Sequence, residues 1–364
     1  MINISVFLIL LLGGIGIYVN ETIYLVIILS LMLLFSVYIK NGKILLPKHI
    51  GLSALFLFSL AISMIWSVNL SNSFNVFCLF LSGILLWIYS SNESSLKMVR
   101  LIVILTTLYT LLAYVQNNWG IIRNTHLGLI APMNSKHHHL GDLWSITLLI
   151  PIFAMGRGIS IKNKIILLSA IAIGLLTIYI SGSRTAVVSL LVPVFIYFLS
   201  RFKNRSKIIS TLVILLITAI LFVAISRQRT ILLDRPYILQ SIVSFPKHIF
   251  GIGMGNFGYI SQTFEKSIPL FGGFSEMTHS IPFELLSGMG IMSIFAFLFF
   301  VKMCSKELVG VQKKPQLKQL LIIGLLTSFM FDITYNIPLF LWLFFLLLGS
   351  GNAYRDDAIK IGIK

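Results

Sequence analysis

Long apolar runs constrain this chain more than any other feature of its sequence. Runs of about 17–25 apolar residues, the length that lets a helix cross a bilayer, recur along the whole chain. We therefore predict an all-α, polytopic integral membrane protein of about twelve transmembrane helices, forming a single transmembrane domain over residues 1–364. The predicted spans begin near Ile4, Ile23, Ile50, Phe74, Leu101, Asp142, Ile165, Thr185, Ile208, Pro282, Leu317 and Ile337.

The composition agrees with this prediction. The chain is 57% hydrophobic and 11% charged, whereas a soluble domain is about 45–50% apolar and about 25% charged. Too few polar side chains remain to cover a water-facing globule. The net charge is +17, but the Lys and Arg residues lie in short loops between apolar runs, so membrane orientation explains them and we expect no nucleic acid partner. Cys78 and Cys304 lie in different surroundings and predict no disulfide.

Lys and Arg residues also predict the orientation of the chain. If both termini are cytoplasmic, most of the 28 basic residues fall on the inner side, as the positive-inside rule requires. Two long segments then face outward, residues 116–141 and 226–281, and the second is a large periplasmic loop. Loops of that length are usually functional. We predict short helices within the larger one, starting near Asp234 and ending near Lys247.

Basic residues on the outer side oppose this orientation bias and need a reason. Arg184 lies between two spans, where it either extends to the interface or faces a wet cavity as an anion ligand. A guanidinium matches the oxygens of phosphate geometrically. Arg235 precedes a proline at a predicted helix start. It either forms an ion pair with Asp234 on the surface or acts as a second anion ligand.

His279 lies at the start of the predicted span that contains Pro282. Histidine readily takes and returns a proton near neutral pH, which makes His279 a candidate catalytic base, although a single histidine is also commonly structural. Glu284, one turn into that span, either orients His279 or balances an arginine. Upstream, alternating glycines precede Asn256 and let the backbone pass close to a bulky group. Their spacing is not that of the dinucleotide fingerprint.

A second polar segment, residues 134–142, contains three successive histidines. Successive residues do not converge on one ion, so we predict no metal there. Asp142 either caps the span that follows or lines the acceptor side of a cavity together with Asn134 and His139. Asp332, an acid inside the eleventh span, is expected to have a partner that the sequence does not identify.

These pieces together resemble the O-antigen ligase and O-antigen polymerase superfamily, bacterial surface-polysaccharide membrane glycosyltransferases. The resemblance covers most of the chain. It rests on Ser-Arg-Thr-Ala at 183–186, on Arg235 followed by Pro246 and the glycines of 251–257, on His279 followed by Gly290, and on the asparagine-led segment 134–142. Ser293 stands where the ligase pattern often has Gly, Thr or Tyr, which leaves the choice between ligase and polymerase open.

The resemblance implies a metal-independent, inverting glycosyl transfer that needs no cofactor. The donor would be an oligosaccharide on undecaprenyl diphosphate at the outer leaflet of the bacterial inner membrane, and the acceptor a glycan or the lipid A-core. Other polysaccharide-assembly membrane proteins are expected partners, besides the lipid bilayer. Arg184 and Arg235 would hold the diphosphate, and His279 would activate the acceptor hydroxyl or support the leaving group. Candidate substrate-binding residues are Asn134, His139, Asp142, Asn256 and Glu284.

Two other classes of function remain open. A transporter or flippase for a lipid-linked or anionic substrate would also place charges in the membrane, but transporters often show repeated halves and charge at mid-membrane. Here the charges gather at the predicted outer ends of the spans and no internal repeat is evident. A structural scaffold would leave the outer arginines without a role.

Overall fold

Every regular element in the described part of the protein is helical. The computed structural model describes residues 4–15, 19–93, 97–119, 139–155, 161–201, 236–267, 274–309 and 316–350. Within these ranges the helices are α1 (Ile4–Ile15), α2 (Val19–Asn41), α3 (Ile50–Ser63), α4 (Leu70–Asn92), α5 (Met98–Trp119), α6 (His139–Met155), α7 (Ile161–Ser181), α8 (Arg184–Arg201), α9 (Pro236–Ser244), α10 (Phe257–Ser267), α11 (Ile281–Met289), α12 (Ser293–Val309), α13 (Leu317–Phe331) and α14 (Pro338–Gly349). Short 3-10 turns cover Met64–Trp66, Phe245–Lys247, Gly290–Met292 and Ile333–Asn336. The predicted all-α class is confirmed for the described residues.

Apolar helices lie where the sequence predicts spans. Among the described residues, four helical segments are long and apolar enough to cross a membrane: 21–41, 70–92, 163–181 and 281–303. Seven shorter apolar helices occupy further predicted spans, and the predicted span from Ile208 lies outside the described residues. A multi-pass helical membrane protein follows from these segments. The count of twelve spans and the periplasmic side of the loop 226–281 stay predictions.

Helix α14 forms the centre of the bundle. Its side chains from Pro338 to Leu347 are all buried, and it packs most extensively on α4. The Trp342 indole donates to Ser82 Oγ at 2.8 Å, which gives this buried N–H a partner. Small residues bring the helices close, because a side chain at Gly83 would collide with Phe345.

The outer faces of the bundle are apolar, as lipid contact requires. On α2, Ile28, Met32 and Phe35 are each more than half exposed, and Tyr179 on α7 is 75% exposed. In a soluble protein such a surface would cause aggregation. Here the apolar surface marks the faces that lipid acyl chains cover. The polar residues buried inside the bundle are therefore the candidates for function.

The predicted short helix in the segment 226–281 is confirmed. Helix α9 covers Pro236–Ser244, and the turn Phe245–Lys247 follows it directly. Buried Ser241 on α9 donates to the carbonyl of Phe283 at 2.9 Å, so α9 is fixed against the first turn of α11. That contact places α9 beside the segment that carries His279.

Candidate functional site

The first turn of α6 meets the turn between α7 and α8 in a buried polar contact. Asp142 is fully buried, and its Oδ2 lies 3.2 Å from His139 Nδ1. Its other oxygen, Oδ1, accepts a hydrogen bond from Ser183 Oγ at 2.6 Å. Gly141 permits this approach, because a Cβ there would collide with the Ser181 hydroxyl. Asp142 therefore connects helices instead of only capping its own.

Ser183 also sets the start of α8. Its hydroxyl oxygen accepts the backbone N–H of Ala186 at 3.0 Å, which is the bond of an N-cap serine. Arg184 is the first residue of the helix so capped, and its side chain is half-buried. The next residue, Thr185, is 3.4 Å from the carbonyl oxygen of Phe331 at the end of α13. The capped start of α8 thereby fixes Arg184 beside the end of α13.

His279 pairs with the acid that the sequence left without a partner. Its Nδ1 lies 3.3 Å from Oδ1 of Asp332, the residue that ends α13. The Tyr237 ring of α9 stacks on the imidazole, with centroids 5.6 Å apart and planes inclined by 29°. Both members of the pair are partly exposed, with side-chain exposures of 36% and 22%. An imidazole fixed on one nitrogen and on one face can present its other nitrogen to a reactant.

These two pairs belong to one cluster. Ligand atoms of His139, Asp142 and Asp332 all lie within 4.8 Å of one another. Asp332 therefore joins His279 to the buried His139–Asp142 contact and, through Ser183, to the start of α8. Of the candidate residues within the described ranges, His279, His139 and Asp142 are brought together, and Arg184 begins the adjacent helix.

His139, Asp142 and Asp332 are the described residues best placed to hold a cation. His139 Nδ1 and Asp142 Oδ2 already contact each other, however, and Asp142 Oδ1 is occupied by the Ser183 hydroxyl. A metal held by His139 Nδ1 and Asp142 Oδ2 would have to displace the contact between these two atoms. The donor set therefore fits an internal hydrogen-bonded network better than a metal centre.

Glu284 acts on His279 through the backbone. Its buried carboxylate accepts the Thr278 N–H at 3.0 Å and the Thr278 hydroxyl at 3.1 Å, and within the described structure it makes no direct hydrogen bond to the imidazole. His279 has φ of +55°, the left-handed value that other non-glycine residues of the described chain avoid. Glu284 thus holds the loop in the strained form that exposes the imidazole. Burial and the nearby Glu284 raise the pKa of Tyr335, so that phenol keeps its proton.

Of the glycines before Asn256, Gly251 passes close to the backbone of Gly288, whereas Gly253 and Gly255 pass close to side chains of α4 and of the turn before it. Gly251, Gly253 and Gly255 all have φ near +80°, and the segment bonds to the broken region between α11 and α12. The N–H of Gly253 donates to Gly288 O at 2.9 Å, and Ile291 N–H donates to Ile249 O at 2.7 Å. The Asn256 amide lies within 3.0–3.2 Å of Ser67, Asn69, Ser73 and Ile252 oxygens, so it is part of this framework.

Two predicted site residues, Arg235 and Asn134, lie outside the described residues. Three residues of the cluster were missed as site residues: Ser183, Tyr237 and Asp332. Ser183 carried a signal, since a serine directly before a helix and next to an arginine is a cap candidate. Tyr237 and the partner of Asp332 carried none, because both depend on contacts between distant segments.

The fold and the cluster define a helical, multi-pass membrane protein with a polar site where α6, α8, α11 and α13 begin or end. Residues 169–298 match the family model described as O-antigen ligase. This match confirms the resemblance to the O-antigen ligase and polymerase superfamily, and it spans Arg184, Arg235, His279 and Glu284. It supports a membrane glycosyltransferase of the O-antigen ligase or polymerase type. No curated protein matches the chain.

Proposed function

We propose that this protein transfers or polymerises a glycan carried by undecaprenyl diphosphate at the outer leaflet of the bacterial inner membrane. One observation carries the proposal: His279 is paired with Asp332 beside the helix start that carries Arg184. His279 can then accept the proton of the attacking hydroxyl while Arg184 binds the charge that develops on the leaving group. The family match over this region supports the same chemistry.

His279 acts as the general base. Because Nδ1 faces the Asp332 carboxylate at 3.3 Å, the proton of the neutral imidazole sits on Nδ1 and the lone pair on Nε2. Nε2 takes the proton of the acceptor hydroxyl as its oxygen attacks the anomeric carbon. Asp332 stabilises the imidazolium that forms, and stacking on the Tyr237 ring holds the imidazole in its orientation. Such base catalysis contributes about 10²–10⁴ in rate.

The arginines act on the leaving group. As the new glycosidic bond forms, the bond from the anomeric carbon to the diphosphate oxygen breaks, and its electron pair stays on the diphosphate. Arg184 and Arg235 bind that growing negative charge, which is where fixed cations help most. Attack opposite the departing oxygen inverts the anomeric centre, so no covalent enzyme intermediate is needed.

His139, Asp142 and Ser183 position these groups. Asp142 and Ser183 join α6 to the start of α8 in a buried contact, the Asp332 carboxylate lies within 4.8 Å of the His139 and Asp142 ligand atoms, and we assign no metal to this group. The reaction is therefore expected to proceed unchanged in excess chelator. Loss of turnover in EDTA, with recovery on adding a divalent ion, would show that the His139–Asp142–Asp332 donors hold a metal.

Complementation in the native host tests the proposal. A deletion strain carrying the wild-type gene should restore surface-glycan banding on electrophoresis, whereas His279→Ala and Arg235→Ala should insert normally and give none. If the deletion strain still displays single glycan units on its surface, the protein is a polymerase. If the strain loses all surface display of lipid-linked glycan, the protein is a ligase. Normal banding from both variants would refute the proposal.

The outer-leaflet assignment has its own test. A cysteine introduced next to His279, as Glu276→Cys in a Cys78→Ala, Cys304→Ala background, should react with a membrane-impermeant maleimide in intact spheroplasts. Labelling only after the membrane is opened would put this segment in the cytoplasm. A lipid-linked donor in the outer leaflet could not then reach His279.

A further inference from the structure

A cavity separate from the His279 cluster is lined mainly by amides. It encloses about 520 Å³ between the start of α4, the glycine segment, α10 and the turn after α13. Ligand pockets usually measure about 300–1,000 Å³, so the size suits a small organic group. We call it the amide pocket, and its amide-bearing lining residues are Asn69, Asn72, Asn75, Asn256, Gln262 and Asn336.

The chemistry of the lining selects a ligand class. A side-chain amide both donates and accepts, which suits a ligand whose hydroxyl groups also do both. Lys, Arg and His are absent from the residues that line the amide pocket in the described structure, and its single ionisable acid is Glu276. A phosphate or diphosphate would lack counter-charge there. The pocket is built for a neutral, polyhydroxylated group.

Several of these amides retain capacity for a ligand. The Asn75 amide oxygen accepts the Tyr24 hydroxyl at 2.7 Å, which fixes the side chain, and its NH₂ group has no hydrogen-bond partner among the described residues. Among the described residues, the Asn336 amide makes a hydrogen bond only to the Met277 sulfur, at 3.5 Å. The Tyr259 ring lines the same pocket and is 50% exposed. An exposed ring supplies an apolar surface on which the C–H face of a sugar can pack.

The amide pocket adjoins the reacting groups through two chain segments. Met277 lines it two residues before His279, and Asn336 lines it four residues after Asp332. The contact between Asn336 and Met277 joins those two segments. A group bound in the pocket therefore lies along the same wall that presents the His279–Asp332 pair.

We propose that the amide pocket binds neutral sugar residues of the glycan, apart from the diphosphate held by the arginines. The inference rests on the proposed function for its place in the reaction, but sugar binding itself can be measured without turnover. The sugars belong either to the lipid-linked donor or to the acceptor, and both present the same hydroxyl chemistry.

Filling the pocket gives the sharpest test. Gln262 lines it from the exposed face of α10, whereas the adjacent and equally exposed Thr263 does not. The probe is the oligosaccharide released by mild acid from the host's own lipid-linked glycan, titrated calorimetrically into protein in nanodiscs. Gln262→Trp should abolish its binding and Thr263→Trp should preserve it. Equal binding by both variants would overturn the proposal.

Single amides test the hydrogen bonds. Asn75→Ala and Asn336→Ala should each weaken oligosaccharide binding about tenfold, the equivalent of roughly 1.4 kcal/mol. Asn41→Ala is the matched control, because Asn41 ends α2 at the far end from Ile23, which lines the pocket. That separation is about 27 Å along the helix axis. Unchanged binding by both pocket variants would count against the amides.

Kinetics then separate the two sources and the two proposals. A higher KM for the lipid-linked donor alone in Asn75→Ala assigns the pocket to donor sugars, and a higher KM for the acceptor alone assigns it to the acceptor. An unchanged KM for both the donor and the acceptor overturns the proposal that the amide pocket binds sugars of the substrate. If His279→Ala is inactive while Gln262→Trp binds oligosaccharide normally, only the pocket inference fails. If His279→Ala stays active, the proposed function fails, and the binding result stands on its own.

Discussion

The imidazole Nδ1 of His279 lies 3.3 Å from Oδ1 of Asp332, although the two residues are 53 positions apart in sequence. The pair joins the loop before α11 to the end of α13. It gives the histidine a defined orientation and gives the acid a partner inside a protein with few charges. The chemistry that we propose depends on this relationship first.

Asp332→Asn should therefore lower kcat about 10²-fold or more, because the amide cannot stabilise the imidazolium and favours the wrong tautomer. The double variant with His279→Ala should be no worse than His279→Ala alone, since both residues act through one proton transfer. Turnover of purified protein in nanodiscs measures this. Glu93→Gln, the same chemical change at the far end of α4, is the control. Additive losses in the double variant would separate Asp332 from His279.

Arg184→Ala should reduce kcat/KM by about 10²–10³, the effect of removing roughly 3–4 kcal/mol of charge stabilisation. Arg184→Lys should recover only part of this loss, because an ammonium cannot form the planar fork. Undecaprenyl diphosphate binding should weaken in parallel. The exposed Arg100 supplies the control Arg100→Ala. Full activity in Arg184→Lys would mean that a point charge suffices, and full activity in Arg184→Ala would remove this residue from the site.

Ser183→Ala should destabilise the fold by about 2–4 kcal/mol. It removes the N-cap bond to Ala186, worth about 1 kcal/mol, and leaves a buried oxygen of Asp142 without its donor, at a cost of about 1–3 kcal/mol. Ser183→Thr should retain most of the stability. Ser169→Ala is the control, because that exposed serine bonds only locally, to Ile165 O. Thermal unfolding in detergent measures the stabilities of these variants. Equal unfolding midpoints for Ser183→Ala and Ser169→Ala would contradict the prediction.

The length and apolarity of the runs were enough to predict the apolar helices of the described residues, whereas α10 was not predicted. Apolar runs of bilayer length leave few alternatives to a helix, because every backbone group in lipid needs an internal partner. The helix before Lys247 and the proline in the first turn of α11 followed from local rules of the same kind. These features depend on residues close together in sequence, which is why they could be read directly.

The contacts of the site could be predicted only in part. His279, Arg184 and Asp142 stood out as polar residues in apolar surroundings, where each costs free energy without a role. Their partners did not, since the 3.3 Å contact of His279 with Asp332 and the 2.6 Å contact of Asp142 with Ser183 join separate helices. Of the amides that line the amide pocket, only Asn256 was predicted as a binding residue, because asparagines at helix ends normally predict caps, as Asn69 does for α4.

Gly290→Ala should be markedly more destabilising than Gly42→Ala. Both glycines have positive φ, +56° and +69°, so an added Cβ strains both backbones, and Gly290 also has ψ of −133°, a combination that residues with a Cβ rarely adopt. At Gly42 the new atom meets nothing within 4 Å, whereas at Gly290 it collides with the carbonyl of Ile249. That collision also breaks the bond from Ile291 N–H, so the total should reach about 3 kcal/mol or more. Equal unfolding midpoints would show that the break between α11 and α12 relaxes freely.

Glu284→Ala should impair catalysis by releasing His279 from its strained backbone conformation. The substitution leaves the Thr278 N–H without its acceptor, while the Thr278 hydroxyl keeps Ser280 O at 2.8 Å, so the loop with φ of +55° at His279 loses one of its constraints. We expect kcat to fall about tenfold or more while the protein loses about 1–3 kcal/mol of stability. Glu284→Gln, which keeps one acceptor oxygen, should recover most of both. A purely structural role is distinguished by the background: in His279→Ala protein, Glu284→Ala should still lower the unfolding midpoint but should reduce residual turnover no further. A further loss of turnover in that background would mean that Glu284 acts independently of His279, and the backbone link through Thr278 would then be wrong.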